Sequence, residues 1–165
     1  MLRDPSAVMR LEAADARARF ADAAVLRLAT AGGDGRPHLV PCTFALDAEG
    51  QIVIGIDNKP KASVNLRRLR NIAENPWVSL LVDHYEDDWD LLWWARADGV
   101  AAVERSGPGH AAHWDLLRSK YSQYTGPSTG TGQVLGGPVI VVQVESWSGW
   151  AASSCHPAKR LGRPF

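Results

Sequence analysis

Three short, mostly apolar stretches in the first third of the chain are typical of strands, and in the second of them alternation divides the residues between two faces. Turns rich in glycine and acidic residues separate these stretches, and turns of that length predict antiparallel pairing. Pro41 lies in the second stretch and cannot donate a ladder hydrogen bond, so we expect that strand to be bulged or at a sheet edge. The predicted strands are residues 25–30, 38–46 and 51–57, with turns at 32–35 and 47–50.

Helical spacing of apolar residues predicts three helices, and three further apolar stretches predict strands. The elements run in the order helix, three strands, helix, two strands, helix, strand. Six strands with helices at the periphery favour a small, mainly β barrel. The predicted helices cover residues 6–24, 62–73 and 107–124, and the later strands cover 77–83, 91–104 and 139–147.

Length and composition indicate one globular domain, since the chain has 165 residues of which 45% are hydrophobic. We place the domain at residues 1–152 and expect residues 153–165 to form a loose C-terminal tail. The 18 basic and 18 acidic side chains balance, which argues against nucleic-acid binding. No apolar run suits a membrane span, the N-terminus has no apolar signal-peptide core, and the 2 cysteines cannot form a disulfide framework. We therefore expect a cytoplasmic protein.

A cluster of cations lies where the third predicted strand leads into the second helix. Residues 58–73 contain five cationic side chains and no acidic one. Free N–H groups and the positive end of the helix dipole favour phosphate at such a helix start. The alternative is a solvated helix face that pairs with acidic residues elsewhere. The five cations are Lys59, Lys61, Arg67, Arg68 and Arg70.

The order and spacing of several short motifs resemble the split β-barrel flavin/deazaflavin oxidoreductases, the pyridoxamine 5'-phosphate oxidase-like superfamily. One further segment resembles the subgroup that uses the deazaflavin coenzyme F-420. The superfamily motifs are LRLATA at 26–31, GRPHLVP at 35–41, KPK at 59–61, LRRL at 66–69 and NIAENPWVSL at 71–80; the subgroup segment is DHYEDDW at 83–89, with LLWW at 91–94.

The resemblance implies a six-stranded antiparallel split β-barrel that works as a homodimer, with the cofactor ring at the subunit interface. By position, Lys59 and Lys61 match the residues that contact the cofactor phosphate, with Arg67 or Arg68 as a third member. Hydride transfer is the work of the cofactor, which the protein orients in a dry pocket. No catalytic side chain is assigned. The positions that border the ring are Pro41, Cys42, Thr43 and Trp77.

We therefore expect an oxidoreductase that uses reduced F-420 for hydride transfer to a small organic substrate. One alternative keeps the fold and replaces F-420 with FMN. Others are a non-catalytic barrel that binds flavin, deazaflavin or haem, and a barrel without a cofactor. His110 and His113 share a predicted helix face, but no second His/Cys pair is near in sequence, so we predict no metal site.

Overall fold

The computed structural model describes residues 9–56, 66–124 and 136–152. These residues form strands, three α-helices and two short 3-10 turns, at Trp89–Leu91 and Ser122–Tyr124. In chain order the elements are β1 (Met9–Arg10), α1 (Ala13–Asp22), β2 (Leu26–Ala31), β3 (Pro37–Cys42), β4 (Ala45–Leu46), β5 (Ile52–Gly55), α2 (Arg67–Glu74), β6 (Trp77–His84), β7 (Trp93–Glu104), α3 (Pro108–Lys120) and β8 (Val139–Ala151).

The strands form one antiparallel sheet in the order β3-β2-β6-β7-β8-β5-β4, and β1 pairs with the end of β8. β3 and β4 lie at opposite edges of this path, yet only Thr43 and Phe44 separate them in the chain. The three residue steps from Cys42 to Ala45 span at most about 11 Å. The sheet must therefore curl until its two edges meet, and this curl makes it a split β-barrel.

The main core fills the inside of the curled sheet. Alternate residues of each strand point inward, and α1 and α2 add Phe20, Leu69 and Ile72 to the same cluster. A bulge at Glu145 interrupts the alternation, because the residue before it pairs with Gly99 and the residue after it pairs with Asp98. One extra residue on β8 bends the strand and reverses which residues face inward beyond it.

A second, smaller core lies outside the barrel, where α3 covers β4, β5 and part of β8. Trp114 and Leu117 of α3 pack there against Val53 and Val141. A Cβ atom at Gly55 would lie 2.9 Å from Trp114 and from Leu117, so the glycine lets the helix approach the sheet closely. Both faces of β5 are consequently buried.

The structure confirms the predicted split barrel and corrects its details. Six strands were predicted, but the described residues form eight, because the predicted strand 38–46 divides where the chain crosses between the sheet edges and the short β1 is added. The last strand extends to Ala151 because it pairs with the whole of β7. The first helix is shorter than predicted because β1 takes up its beginning. The predicted tail at 153–165 lies outside the described residues.

Candidate functional site

The cation cluster reaches the described chain at the start of α2, which contains Arg67, Arg68 and Arg70. Lys59 and Lys61 lie outside the described residues. In the described ranges no carboxylate forms an ion pair with these three arginines. Their charge is therefore available to an anion.

Hydrogen bonds hold α2 against the hairpin formed by β2 and β3. The amide of Asn71 donates to Thr30 Oγ1 at 3.0 Å, and both residues are buried. At the end of the helix, Glu74 Oε2 accepts the N–H of Gly33 at 2.8 Å. A Cβ at Gly32 would lie 2.8 Å from the same carboxylate oxygen, so the glycine turn is shaped to receive Glu74. These contacts fix the arginines beside β3.

The inward face of β3 carries His38 and Cys42. Burial lowers the pKa of His38, and the positive charges of Arg67 and Arg68 lower it further. Burial raises the pKa of the Cys42 thiol, with Arg68 acting in the opposite direction. The thiol is therefore un-ionised at neutral pH and behaves as a small buried group. Arg68 thus acts on two inward positions of the same strand.

The outward face of the sheet holds a different group of residues. Pro41 and Trp77 point away from the core, and the Trp77 side chain is 56% exposed. Leu39, on the same face of β3, is 66% exposed. Ion pairs cross the centre of this face, from Arg27 to Asp83 at 2.7 Å and from Arg96 to Asp98 at 2.9 Å.

The predicted site residues therefore divide into two groups. Arg68 and Cys42 come together inside the hairpin, whereas Pro41 and Trp77 lie on the outer face. Thr43 lies in the link between the sheet edges, where its hydroxyl is 2.7 Å from the Tyr124 hydroxyl. β3 is an edge strand, as Pro41 predicted, because proline cannot donate a ladder hydrogen bond to a further strand.

His38 is not among the site residues that the sequence predicted. Alternation places it on the same face as Cys42, but only the position of α2 shows that two arginines lie beside it. Within the described ranges, no group of three or more His, Cys, Asp or Glu side chains could hold a metal ion. No described helix has the length and apolarity to cross a membrane.

The curled antiparallel sheet, closed across Thr43 and Phe44, defines the class of split β-barrel proteins. Comparison with known families agrees, because the pyridoxamine 5'-phosphate oxidase model matches residues 13–151. The chain belongs to that family. No functionally curated protein matches the sequence.

Solved structures with the same fold differ in what they bind. A conserved hypothetical protein from Mycobacterium tuberculosis is 22% identical, with a TM-score of 0.65 over 99% of this chain and 95% of that one. An FAD-binding protein from Mesorhizobium loti is 21% identical, with a TM-score of 0.66 over 89% and 99%. The haem storage protein HutZ from Vibrio cholerae is 23% identical, with a TM-score of 0.61 over 84% and 92%. At these identities the likeness shows the fold alone.

Proposed function

We propose that this protein is an oxidoreductase that binds reduced F-420 and directs hydride transfer to a small organic substrate. The observation that carries the proposal is the cation cluster of α2, which has no carboxylate partner in the described ranges and lies beside β3 in a family of flavin-type barrels. Guanidinium groups at a helix start, without a carboxylate partner among the described residues, fit a phosphate-bearing cofactor. When bound, the cofactor supplies the redox chemistry.

The residues of the chain would hold and orient the cofactor. Lys59 and Lys61 are assigned to its phosphate together with Arg67 or Arg68, and Pro41, Cys42 and Thr43 to the border of its ring. F-420 carries a phosphodiester and a polyglutamate tail, and five cations without an acid in residues 58–73 suit that extended negative charge. FMN is the alternative cofactor on the same site.

A homodimer accounts for the open outer face of the sheet. Leu39 and Trp77 are large apolar side chains exposed on that face. A second copy of the chain that covers this face would bury both side chains. It would also bring the cofactor ring near Trp77 from the outer side of the sheet. The two groups of predicted site residues would then contact one cofactor from two protomers.

The phosphate assignment is tested by lysine substitution. Lys59→Ala with Lys61→Ala should weaken F-420 binding by roughly 1.5–3 kcal/mol for each charged hydrogen bond lost. Lys159→Ala, in the predicted tail, is the matched control and should leave affinity unchanged. Equal affinity in all three proteins, measured by calorimetric titration, would contradict the assignment.

The dimer is tested by placing a charge on the outer face. Leu39→Glu should shift the protein toward monomer in sedimentation velocity, because burying an unpaired carboxylate is costly. Tyr85 is 65% exposed outside this face, in the acidic loop, so Tyr85→Glu is the control and should keep the wild-type mass. If the wild-type protein is a monomer, the proposed cofactor site at the subunit interface is wrong.

A non-catalytic role is the second candidate, since the same fold occurs in the haem storage protein HutZ. Turnover separates the two roles. An oxidoreductase should oxidise reduced F-420 in the presence of an enone, quinone or tetrapyrrole acceptor, at a rate proportional to protein concentration. A storage protein should bind its ligand stoichiometrically without turnover.

A further inference from the structure

In the part of the chain that the structure describes, two buried nitrogen atoms on β3 and α2 have no hydrogen-bond partner: Nδ1 of His38 and Nε of Arg68. Buried polar atoms are almost always paired in folded proteins, so each exception calls for an explanation. The guanidinium Nε–H is always a donor, and Nδ1 is a donor in one tautomer of the neutral ring and in the imidazolium ion. Two such nitrogens in one place suit a bound anion.

The register of the hairpin and the contacts of α2 place the two residues on facing elements. His38 is the cross-strand partner of Thr30. Thr30 in turn accepts the hydrogen bond of Asn71 at 3.0 Å. Arg68 precedes Asn71 by three residues on α2, so the two side chains share one face of the helix. Arg68 therefore lies on the side of α2 that packs against the hairpin, where its charge acts on His38.

The charges that face His38 are positive. Arg67 and Arg68 act on it from α2, and burial together with these charges lowers its pKa, so that the imidazole is neutral at pH 7. Cys42 on its own strand is un-ionised. The carboxylates of the adjoining elements are engaged with backbone N–H groups: Asp34 accepts from Arg36 at 3.1 Å and Glu74 accepts from Gly33 at 2.8 Å.

We propose that His38 and Arg68 together hold an oxyanion of the phosphate class, and that His38 takes up a proton from solvent when the anion binds. The reason is electrostatic, because a negative charge beside the ring favours the imidazolium ion and offsets the two arginines. Protonation turns both ring nitrogens into donors. The inference rests on the proposed function, since a cofactor phosphate is the natural source of the anion.

The direct test is an NMR titration of the His38 ring with inorganic phosphate as the probe. In the free protein, His38 should titrate below the usual range for histidine. Saturating phosphate should raise its pKa by about one unit or more. Phosphate that binds without moving the His38 titration would overturn the proposal, as would a His38 already protonated at pH 7 in the free protein.

Three variants separate the specific contact from general attraction. Arg68→Lys keeps the charge but removes the Nε donor, and should weaken phosphate binding about tenfold. His38→Asn should weaken binding to a similar extent and leave only the pH dependence that comes from ionisation of the phosphate itself between pH 5 and 8. Arg105→Ala removes an exposed cation outside the cluster and should change affinity less than twofold. Wild-type affinity in Arg68→Lys would overturn the proposal.

The affinities of FMN and riboflavin, together with the His38 titration, test this inference separately from the proposed function. FMN should bind at least tenfold more tightly than riboflavin, and Arg68→Lys should reduce that preference. If FMN or F-420 binds but neither it nor phosphate shifts the His38 titration, the inference fails while the proposed function stands. If no cofactor binds but phosphate still shifts His38, the proposed function fails and the anion site stands.

Discussion

The Tyr121 hydroxyl ties the third helix to the link that closes the barrel. It accepts the N–H of Phe44 at 3.0 Å, and it lies 2.7 Å from the Phe44 carbonyl oxygen and 2.8 Å from the Ala24 carbonyl oxygen. Its single proton goes to one of these two acceptors. Phe44 is fully buried and belongs to the two residues that join the sheet edges. We therefore expect this hydroxyl to stabilise closure of the sheet.

Tyr121→Phe keeps the ring and removes the hydroxyl. The Phe44 N–H and one carbonyl then lose their partner, and an unsatisfied buried donor costs about 1–3 kcal/mol. We expect the free energy of unfolding to fall by about 2–3 kcal/mol in urea titrations followed by tryptophan fluorescence. Tyr85→Phe, at a side chain that is 65% exposed, is the control and should change stability by less than about 0.5 kcal/mol. Equal stability of the two variants would refute the reasoning.

The same hydroxyl gives a signature in alkaline solution. Burial raises the pKa of Tyr121 to about 12, whereas an unfolded tyrosine titrates near 10. Below pH 10 the group is neutral in both states; as pH rises from 10 to 12 only the unfolded state ionises, so stability is lost. Two pKa units correspond to about 2.7 kcal/mol, and partial solvent exposure reduces the expected loss to about 1–2 kcal/mol. The Tyr121→Phe protein should lack this part of the wild-type decline.

Two further predictions concern single residues outside the proposed site. Burial lowers the pKa of Lys120 to about 8, so between pH 8 and 10.5 the lysine stays charged only in the unfolded state. Wild-type stability should therefore rise by about 1–2 kcal/mol over this range. Lys120→Met should remove the rise in urea unfolding, and a rise of equal size in the variant would contradict the prediction. Gly99→Ala should destabilise the protein by about 2–4 kcal/mol, because the new Cβ would overlap the Gln143 carbonyl oxygen. The Cβ of the control Gly109→Ala in α3 would meet nothing closer than 3.5 Å, so this variant should be neutral or stabilising. Thermal unfolding of both variants provides the test.

Local patterns predicted most of the fold. The alternation in β3, the glycine turn at 32–35 and Pro41 on an edge strand are consequences of nearby residues, and the structure agrees with each. The bulge at Glu145 and the division of β3 from β4 depend on how distant strands meet. No window of the sequence contains that information, because the periodicity of a strand does not specify its partner.

The candidate site likewise has one part that local sequence predicts and another that depends on how distant residues pack. Composition and spacing identify the cations of α2, since a cluster without acidic residues is visible in the sequence. The association of His38 with Arg68 follows from the packing of α2 on Thr30 and from the register of the hairpin. Alternation does place Pro41 and Cys42, adjacent in sequence, on opposite faces of the sheet, and the structure agrees, since Pro41 is exposed and Cys42 is buried.

The central claim is that this barrel binds a flavin-type cofactor and prefers F-420. The most direct measurement titrates the purified protein with F-420 and with FMN side by side and follows the fluorescence of its 7 tryptophans. We predict that both ligands quench the fluorescence saturably and that F-420 binds at least tenfold more tightly than FMN. Tighter binding of FMN would assign the protein to the flavin branch. Saturation by neither ligand would contradict the claim that the cation cluster serves a cofactor.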